Sequence, residues 1–155
     1  LKKAELKELL WATFSHLDEN QIMGLTIYGE ARGETTEGKI AVGSVILERV
    51  DKQGWMGKTI QEVCLMPYQF SCFLPSDPNF EALKLIADDW VKKYMQSIDL
   101  QQCHAVARGL IDGLIPRTPE IAAKHVTQYK TPAAKAAWAD KMTKIVQIGG
   151  HEFYV

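Results

Sequence analysis

Glu30 and Glu34 stand four residues apart in Tyr28-Gly29-Glu30-Ala31-Arg32-Gly33-Glu34, at the end of a predicted helix and just before a loop. Residues four apart on a helix share a face. Two carboxylates brought together there repel, so at least one should titrate upward where the site is partly buried. A carboxylic acid that keeps its proton near neutral pH can act as a general acid, and cleavage of a glycosidic bond requires one. A solvated Glu-Arg-Glu helix end has the same spacing and no chemistry. The spacing alone leaves both readings open.

Three segments interrupt the helical pattern while carrying polar and aromatic residues: 28–34, 67–73 and 125–131. Loops beside helix ends are where sites usually lie. In Pro67-Tyr68-Gln69-Phe70-Ser71-Cys72-Phe73, Gln69 and Ser71 offer hydrogen bonds and the aromatics offer flat apolar surface. Sugar rings want both, because their C–H faces pack on aromatics and their hydroxyls need directional partners. A loop pinned by core aromatics has the same composition. Gln128 and Tyr129, before Thr131-Pro132, read equally as a site wall or as a cap. His16 and His104 read as surface or helix-face residues and His151 as structural, while His125 is within reach of a site. No nucleophile-elbow glycine pattern surrounds any serine, which disfavours a Ser-His-Asp hydrolase.

The elements that must position these residues are mostly helical. Residues 2–15 form an amphipathic pattern with Leu6, Leu9, Leu10, Ala12 and Phe14 on its apolar side. Asp18 with Gln21 is a capping box that opens a helix running into Glu30. A helix over about 37–50, rich in Ala, Val and Ile, reads as buried and central. Thr59 with Glu62 is another capping box, starting a short helix that ends before Pro67. After a Pro-rich loop over 67–79, helices are predicted at 79–96 and 99–112, the latter capped by Asp99 and closed by Gly113. Residues 114–130 read as irregular, and Thr131-Pro132 as the start of a helix to about Lys144. Ile145 to Ile148, Gly149-Gly150 and Phe153 to Val155 read as a β-hairpin. The fold class is α+β and mostly α-helical.

At 155 residues the chain fits one domain with room for a core. Hydrophobic residues at 46% and charged residues at 24% are ordinary for a globular protein. A net charge of −1 gives no basic footprint for nucleic acid. No apolar run reaches membrane-spanning length and no leader pattern opens the chain, so neither membrane insertion nor a signal peptide is expected. Leu1 in place of Met fits a trimmed or processed chain. Cys64, Cys72 and Cys103 are too few for a disulfide framework. Without CxxC or a His-x-x-x-His helix they read as buried thiols rather than zinc ligands. No metal or cofactor is expected.

Taken together, the segments resemble the catalytic domain of the SleB-type, spore-cortex-lytic family of cell-wall hydrolases, which also occurs in bacteriophage endolysins. The matching parts are Tyr28 to Glu34, Glu37-Gly38-Lys39-Ile40-Ala41-Val42, Val45 to Val50 and Gln69-Phe70-Ser71-Cys72. Near the end they are Tyr129-Lys130-Thr131-Pro132, Trp138 and Ile148 to Tyr154. The resemblance covers roughly residues 21–155, so residues 1–17 are set apart as an N-terminal helical extension and 18–155 as the catalytic domain, compact as one unit. It implies a lysozyme-like, lytic-transglycosylase-like fold acting on the glycan strands of peptidoglycan. It puts the catalytic acid on Glu30 and substrate-binding roles on Ser71 and Tyr129, with Gln69 a weaker carry-over and Glu34 a helix-end or neighbouring part. Gln128 departs from the His common in phage-type relatives, and Pro116 to Val126 departs from a Gly-rich turn.

The resemblance also implies a mechanism. Glu30 protonates the oxygen linking N-acetylmuramic acid to N-acetylglucosamine, and the oxocarbenium-like centre then needs a nucleophile. A lytic transglycosylase uses the sugar's own 6-hydroxyl; a lysozyme uses water and normally a second carboxylate across the substrate. Glu34, one turn along the same helix, would lie beside Glu30 rather than opposite it, which favours the single-acid route. A lysozyme-type muramidase and a peptidoglycan amidase are the alternatives, and a glycan-binding module without chemistry is the reading from another class. The expected partner is the glycan strand, bound by a monomer, with action at the bacterial cell wall and a phage origin as the favoured setting.

Overall fold

Eight α-helices and a three-stranded antiparallel sheet make up the protein, in a computed structural model that describes all of residues 1–155. The helices are α1 (Lys3–Phe14), α2 (Glu19–Ala31), α3 (Thr36–Lys52), α4 (Ile60–Cys64), α5 (Phe80–Asp88), α6 (Trp90–Gln96), α7 (Ile98–Ile111) and α8 (Pro119–Lys124). The strands are β1 (Gln128–Lys130), β2 (Lys144–Ile148) and β3 (His151–Tyr154), and 3₁₀ turns occupy Ser71–Phe73 and Ala137–Lys141. The mostly helical α+β class read from the sequence is the observed one.

Helices α2 and α3 are central because they are apolar on more than one face. Ile22, Met23, Leu25 and Ile27 of α2 and Val42, Val45 and Ile46 of α3 are fully buried. Helix α7 lies against both, and α1 feeds Leu6, Leu10 and Phe14 into the same core. The Phe14 ring meets Phe73 edge-on at 5.1 Å and Phe80 at 6.1 Å, which ties α1 to the loop that follows α4. Cys64, Cys72 and Cys103 are buried, unpaired thiols.

The starts of α2 and α4 follow local chemistry. Asp18 accepts from the Gln21 N–H at 2.8 Å while Gln21 accepts from the Asp18 N–H at 2.9 Å. Thr59 accepts from the Glu62 N–H at 3.1 Å. Each such cap contributes about 1 kcal/mol.

Elsewhere the chain departs from its sequence reading. The helix expected over 79–96 is two, broken at Asp89, whose side chain accepts from the Lys92 N–H and starts α6. Helix α7 is capped by Ser97, one residue before its first turn, and Asp99 lies within that turn. The stretch 114–130 is not irregular: Pro119 opens α8, and Gln128–Lys130 form β1. Thr131-Pro132 leads into a turn and the 3₁₀ segment rather than a helix.

The terminal hairpin therefore sits in a three-stranded sheet of order β1-β3-β2, with Tyr129 opposite Phe153 and Ile148 opposite His151. Its turn has Gly149 at φ 55°, a conformation that disfavours side chains, and a side chain there would run into Glu34. Phe153 buries against Ala41, Val45, Ile121 and Val126, so the sheet packs on α3 through a second small core.

Candidate active site

The last turn of α2 holds Glu30 at the edge of a groove of about 820 Å³. Gly29 makes this placement possible, because a side chain there would collide with Cys72. The close approach lets the Cys72 N–H, in the 3₁₀ turn, reach Glu30 Oε2 at 3.4 Å. On the other side the Tyr129 hydroxyl, carried by β1, donates to Glu30 Oε1 at 2.6 Å. Residues 99 positions apart in sequence are joined by one short bond. Both partners are donors, so both contacts persist when Glu30 is ionised.

Tyr129 is held in turn by the sheet. Its ring meets His151 edge-on at 4.9 Å and lies tilted against Phe153 at 5.6 Å. Burial, then the neighbouring Glu30 charge, push its phenol well above the ordinary tyrosine range, so it stays a hydrogen-bond donor. Burial lowers the titration of His151, against the opposing pull of Glu34 and Glu30, which favours the neutral ring. Its Nδ1 is buried without a hydrogen-bond partner.

Below the groove lies Arg49 of α3, only 3% exposed. Its Nε–H donates to the Thr127 carbonyl at 2.9 Å and its guanidinium sits 4.9 Å over the Phe70 ring. Its Nη1 is buried without a partner. Burial lowers its affinity for a proton, while Tyr129, Cys64 and Glu30 act in the opposite sense. A buried cation whose charge is felt by Glu30 is an electrostatic element of the site. Burial and the charge of Glu30 likewise push the Cys72 thiol up, which keeps it a neutral neighbour of the carboxylate.

Gln69 and Ser71 line the same groove as Glu30 and Tyr129, so the segments after α4 and before the sheet converge on the end of α2. Gln128 lines it too, with its amide 3.9 Å from the Met56 sulfur. Glu34 does not line it. Helix α2 stops at Ala31 and the chain turns through Gly33, so Glu34 precedes the Thr35 cap of α3 rather than sharing a helix with Glu30. Its Oε1 accepts from the Gly150 N–H at 2.6 Å, locking the hairpin turn, and it borders, together with Glu30, a shallow depression that adjoins the groove through Gly29, Glu30 and Asn79. The helix ends between the two residues, so the continuous helix assumed from the four-residue spacing is absent, yet Glu34 still lies beside Glu30 along that depression.

His125 also lies away from the groove, its Nδ1 2.9 Å from Glu48 Oε1, and Arg117 joins the same carboxylate. Arg32 supports the site from outside, donating to Asn79 at 2.7 Å and to the Tyr28 carbonyl at 3.2 Å, with its guanidinium 4.7 Å from the Tyr28 ring. Sequence reasoning missed Arg49 and took His151 as structural. Arg49 stood inside the matched Val45 to Val50 segment, and a lone arginine in an apolar helix pattern was the available signal.

Lining the groove, Glu30 is the only carboxylate, among the cations Arg49, Lys52 and Lys130 and the aromatics Trp55, Tyr68, Tyr129 and Trp138. One acid, a tyrosine donor, amides, a hydroxyl and exposed aromatic faces suit a polyhydroxylated substrate and acid catalysis.

Comparison with known proteins gives a consistent result. The family model for cell wall hydrolases matches residues 33–154. A spore cortex-lytic enzyme of Oceanobacillus iheyensis is 35% identical over 72 residues, which are 44% of this chain and 26% of that protein. The matched region thus spans about a quarter of that relative's length. Among solved structures, the catalytic domain of the germination-specific lytic transglycosylase SleB from Bacillus anthracis superposes with a TM-score of 0.63 at 23% identity, covering 88% of this chain and 93% of that one. The catalytic domain of the Bacillus cereus SleB protein gives 0.60 at 23% identity, covering 88% and 89%. These two likenesses are of fold, and they agree with the lysozyme-like, lytic-transglycosylase-like architecture that the motifs imply. With the family model running over most of its length, the chain belongs to the cell wall hydrolase family.

Proposed function

We propose that this chain cuts the glycan strand of peptidoglycan between N-acetylmuramic acid and N-acetylglucosamine, as a lytic transglycosylase with Glu30 as its one acid. The observation that carries this reading is that Glu30 is the only carboxylate lining the groove, while Glu34, beside it in the adjoining shallow depression, is engaged by the hairpin turn. Paired-carboxylate glycosidases set their two groups about 5–9.5 Å apart across the bond. Nothing in this lining offers the second.

Glu30 gives its proton to the glycosidic oxygen, the C1–O bond breaks, and N-acetylglucosamine leaves with a free hydroxyl. The muramoyl 6-oxygen then attacks C1, and its proton returns to the Glu30 carboxylate. A 1,6-anhydro end forms and no water is consumed. Tyr129 steadies the carboxylate between the two steps through its 2.6 Å bond, and the Arg49 charge favours the same ionised intermediate state. Ser71 and Gln69 orient the sugar's N-acetyl and hydroxyl groups. Residues 18–155 act as the catalytic domain with 1–17 as a helical extension, and the protein works as a monomer on the bacterial wall, in a phage lysis setting.

The test is to digest purified peptidoglycan with the wild-type protein and Glu30→Gln and to identify soluble fragments by mass spectrometry. Anhydro-muramoyl ends are expected, falling by about a thousandfold in rate in the variant, as loss of a general acid implies. Reducing muramic ends would mean hydrolysis by water. Cut stem peptides with intact glycan would overturn the reading.

A further inference from the structure

The chain has four Trp, five Tyr and five Phe residues. Of all these rings only Trp55 and Tyr68 are exposed, at 63% and 52%. Both line the groove that contains Glu30. Exposed aliphatic side chains such as Val91, Met95, Ile98 and Leu114 fall on other parts of the surface, as single apolar residues ordinarily do. Two aromatics converging on one groove is a different pattern. A tryptophan carries roughly 200 Å² of surface that folding would otherwise bury.

Both rings are carried on turns that contain left-handed residues. Trp55 follows Gln53, at φ 53°, and precedes Gly57, at φ 122°, in the turn that closes α3. Tyr68 is itself left-handed, at φ 65°, an outlier for a bulky residue that the surrounding loop must enforce. Its hydroxyl is already used, donating to the Leu1 carbonyl, so what it presents to the groove is ring rather than hydroxyl. The same groove is lined by Lys52, Gln69, Asn79 and Gln128, polar groups able to meet sugar hydroxyls.

We propose that Trp55 and Tyr68 form a saccharide platform, distinct from the acid, on which a pyranose ring of the bound strand stacks by its C–H face. This rests on the glycan-strand reading of the groove. The platform holds the strand and sets its register against Glu30, so its contribution is to affinity rather than to bond cleavage itself.

Binding of soluble glycan strands freed of stem peptides, measured by calorimetry on the Glu30→Gln protein so that cutting is slowed about a thousandfold, tests the idea. Trp55→Ala on that background should weaken Kd about tenfold, the worth of one aromatic stack. Trp55→Phe should regain most of the loss, because a flat apolar ring is what the site uses. Tyr68→Ala should cost a smaller factor. Unchanged affinity in Trp55→Ala, or Trp55→Phe as weak as Trp55→Ala, would overturn the platform while leaving the glycan reading intact. Failure of the Glu30→Gln parent to bind strands at all would sink both.

Discussion

Glu48 and Arg49 are neighbours on one helix, both almost fully buried and both charged, yet they belong to different regions. Glu48 faces the α8 side, where Arg117 Nη1 donates at 2.5 Å and His125 Nδ1 lies at 2.9 Å. Arg117 reaches Asp51 as well, at 2.5 Å. That cluster is closed. Arg49 faces the groove with one hydrogen bond from Nε, a ring beneath its guanidinium, and a buried Nη1 left without a partner. A charge whose partners are complete stabilises the fold, whereas a charge left partly unpaired beside an acid costs stability and biases chemistry.

Two substitutions should separate these roles. Arg49→Met removes the cation under Glu30 and Tyr129, and turnover on peptidoglycan should fall by roughly tenfold to a hundredfold, as for loss of a preorganised charge. Stability should move by no more than about 1 kcal/mol, because an apolar residue also removes the unpaired Nη1. Arg49→Lys should recover part of the turnover. Glu48→Gln should do the reverse. Breaking a fully enclosed pair costs about 3–5 kcal/mol, but Arg117 is partly exposed and keeps Asp51, so about 2 kcal/mol in urea unfolding is expected, with turnover intact. If both variants lose activity and stability together, the two regions are one, and the contrast drawn from α3 is wrong.

Tyr129→Phe sharpens the comparison within the groove. It removes only the hydroxyl that donates to Glu30 Oε1 and keeps the ring against His151 and Phe153. Losing a hydrogen bond to an ionised group is worth about 1.5–3 kcal/mol, some of which water entering the groove replaces. A drop of about tenfold in kcat with the melting temperature nearly unchanged is expected. Equal kcat in the two proteins would reduce Tyr129 to a packing residue.

What was legible in the sequence follows the range of the interaction. The Asp18 and Thr59 caps depend on residues three apart: the Asp18–Gln21 box forms as read, whereas Thr59 caps the Glu62 N–H and Glu62 returns to the Thr59 hydroxyl rather than to its backbone. The short strand β1 was not legible, because Gln128–Lys130 have no strand signal of their own and exist by pairing with β3. Helix α8 was hidden in the same stretch: it is six residues long and contributes a single fully buried side chain, Ile121. The segments bearing Glu30, Gln69, Ser71 and Tyr129 were singled out by composition and by family resemblance, since no spacing rule links a helix end to a strand 99 residues away. Glu34 lies beside Glu30 as read, but not on the same helix, because spacing assumes the helix continues and Gly33 lies in the turn that follows its end. Arg49 and His151 acquire their meaning from what surrounds them, which only the tertiary structure supplies.

A third ionic cluster lies between the two extremes and gives the smallest effect. Glu152 on β3 is gripped by Lys130 of β1 and Lys144 of β2, each at 2.9 Å, so one carboxylate staples all three strands. Hydrogen bonds from Lys144, then from Lys130, hold it down to about 2. A folded carboxylate depressed below its unfolded value, about 4.3 for Glu, stabilises the fold fully above that value. The contribution is lost as pH falls through the window down to about 2. Because the cluster borders solvent, salt and water screen it and the loss should be modest. The melting temperature of the wild type should therefore exceed that of Glu152→Gln at pH 6, and the gap should close as the pH approaches 2. A gap that persists at low pH would mean that Glu152 acts through packing, and the sheet that carries Tyr129 would then owe nothing to this charge.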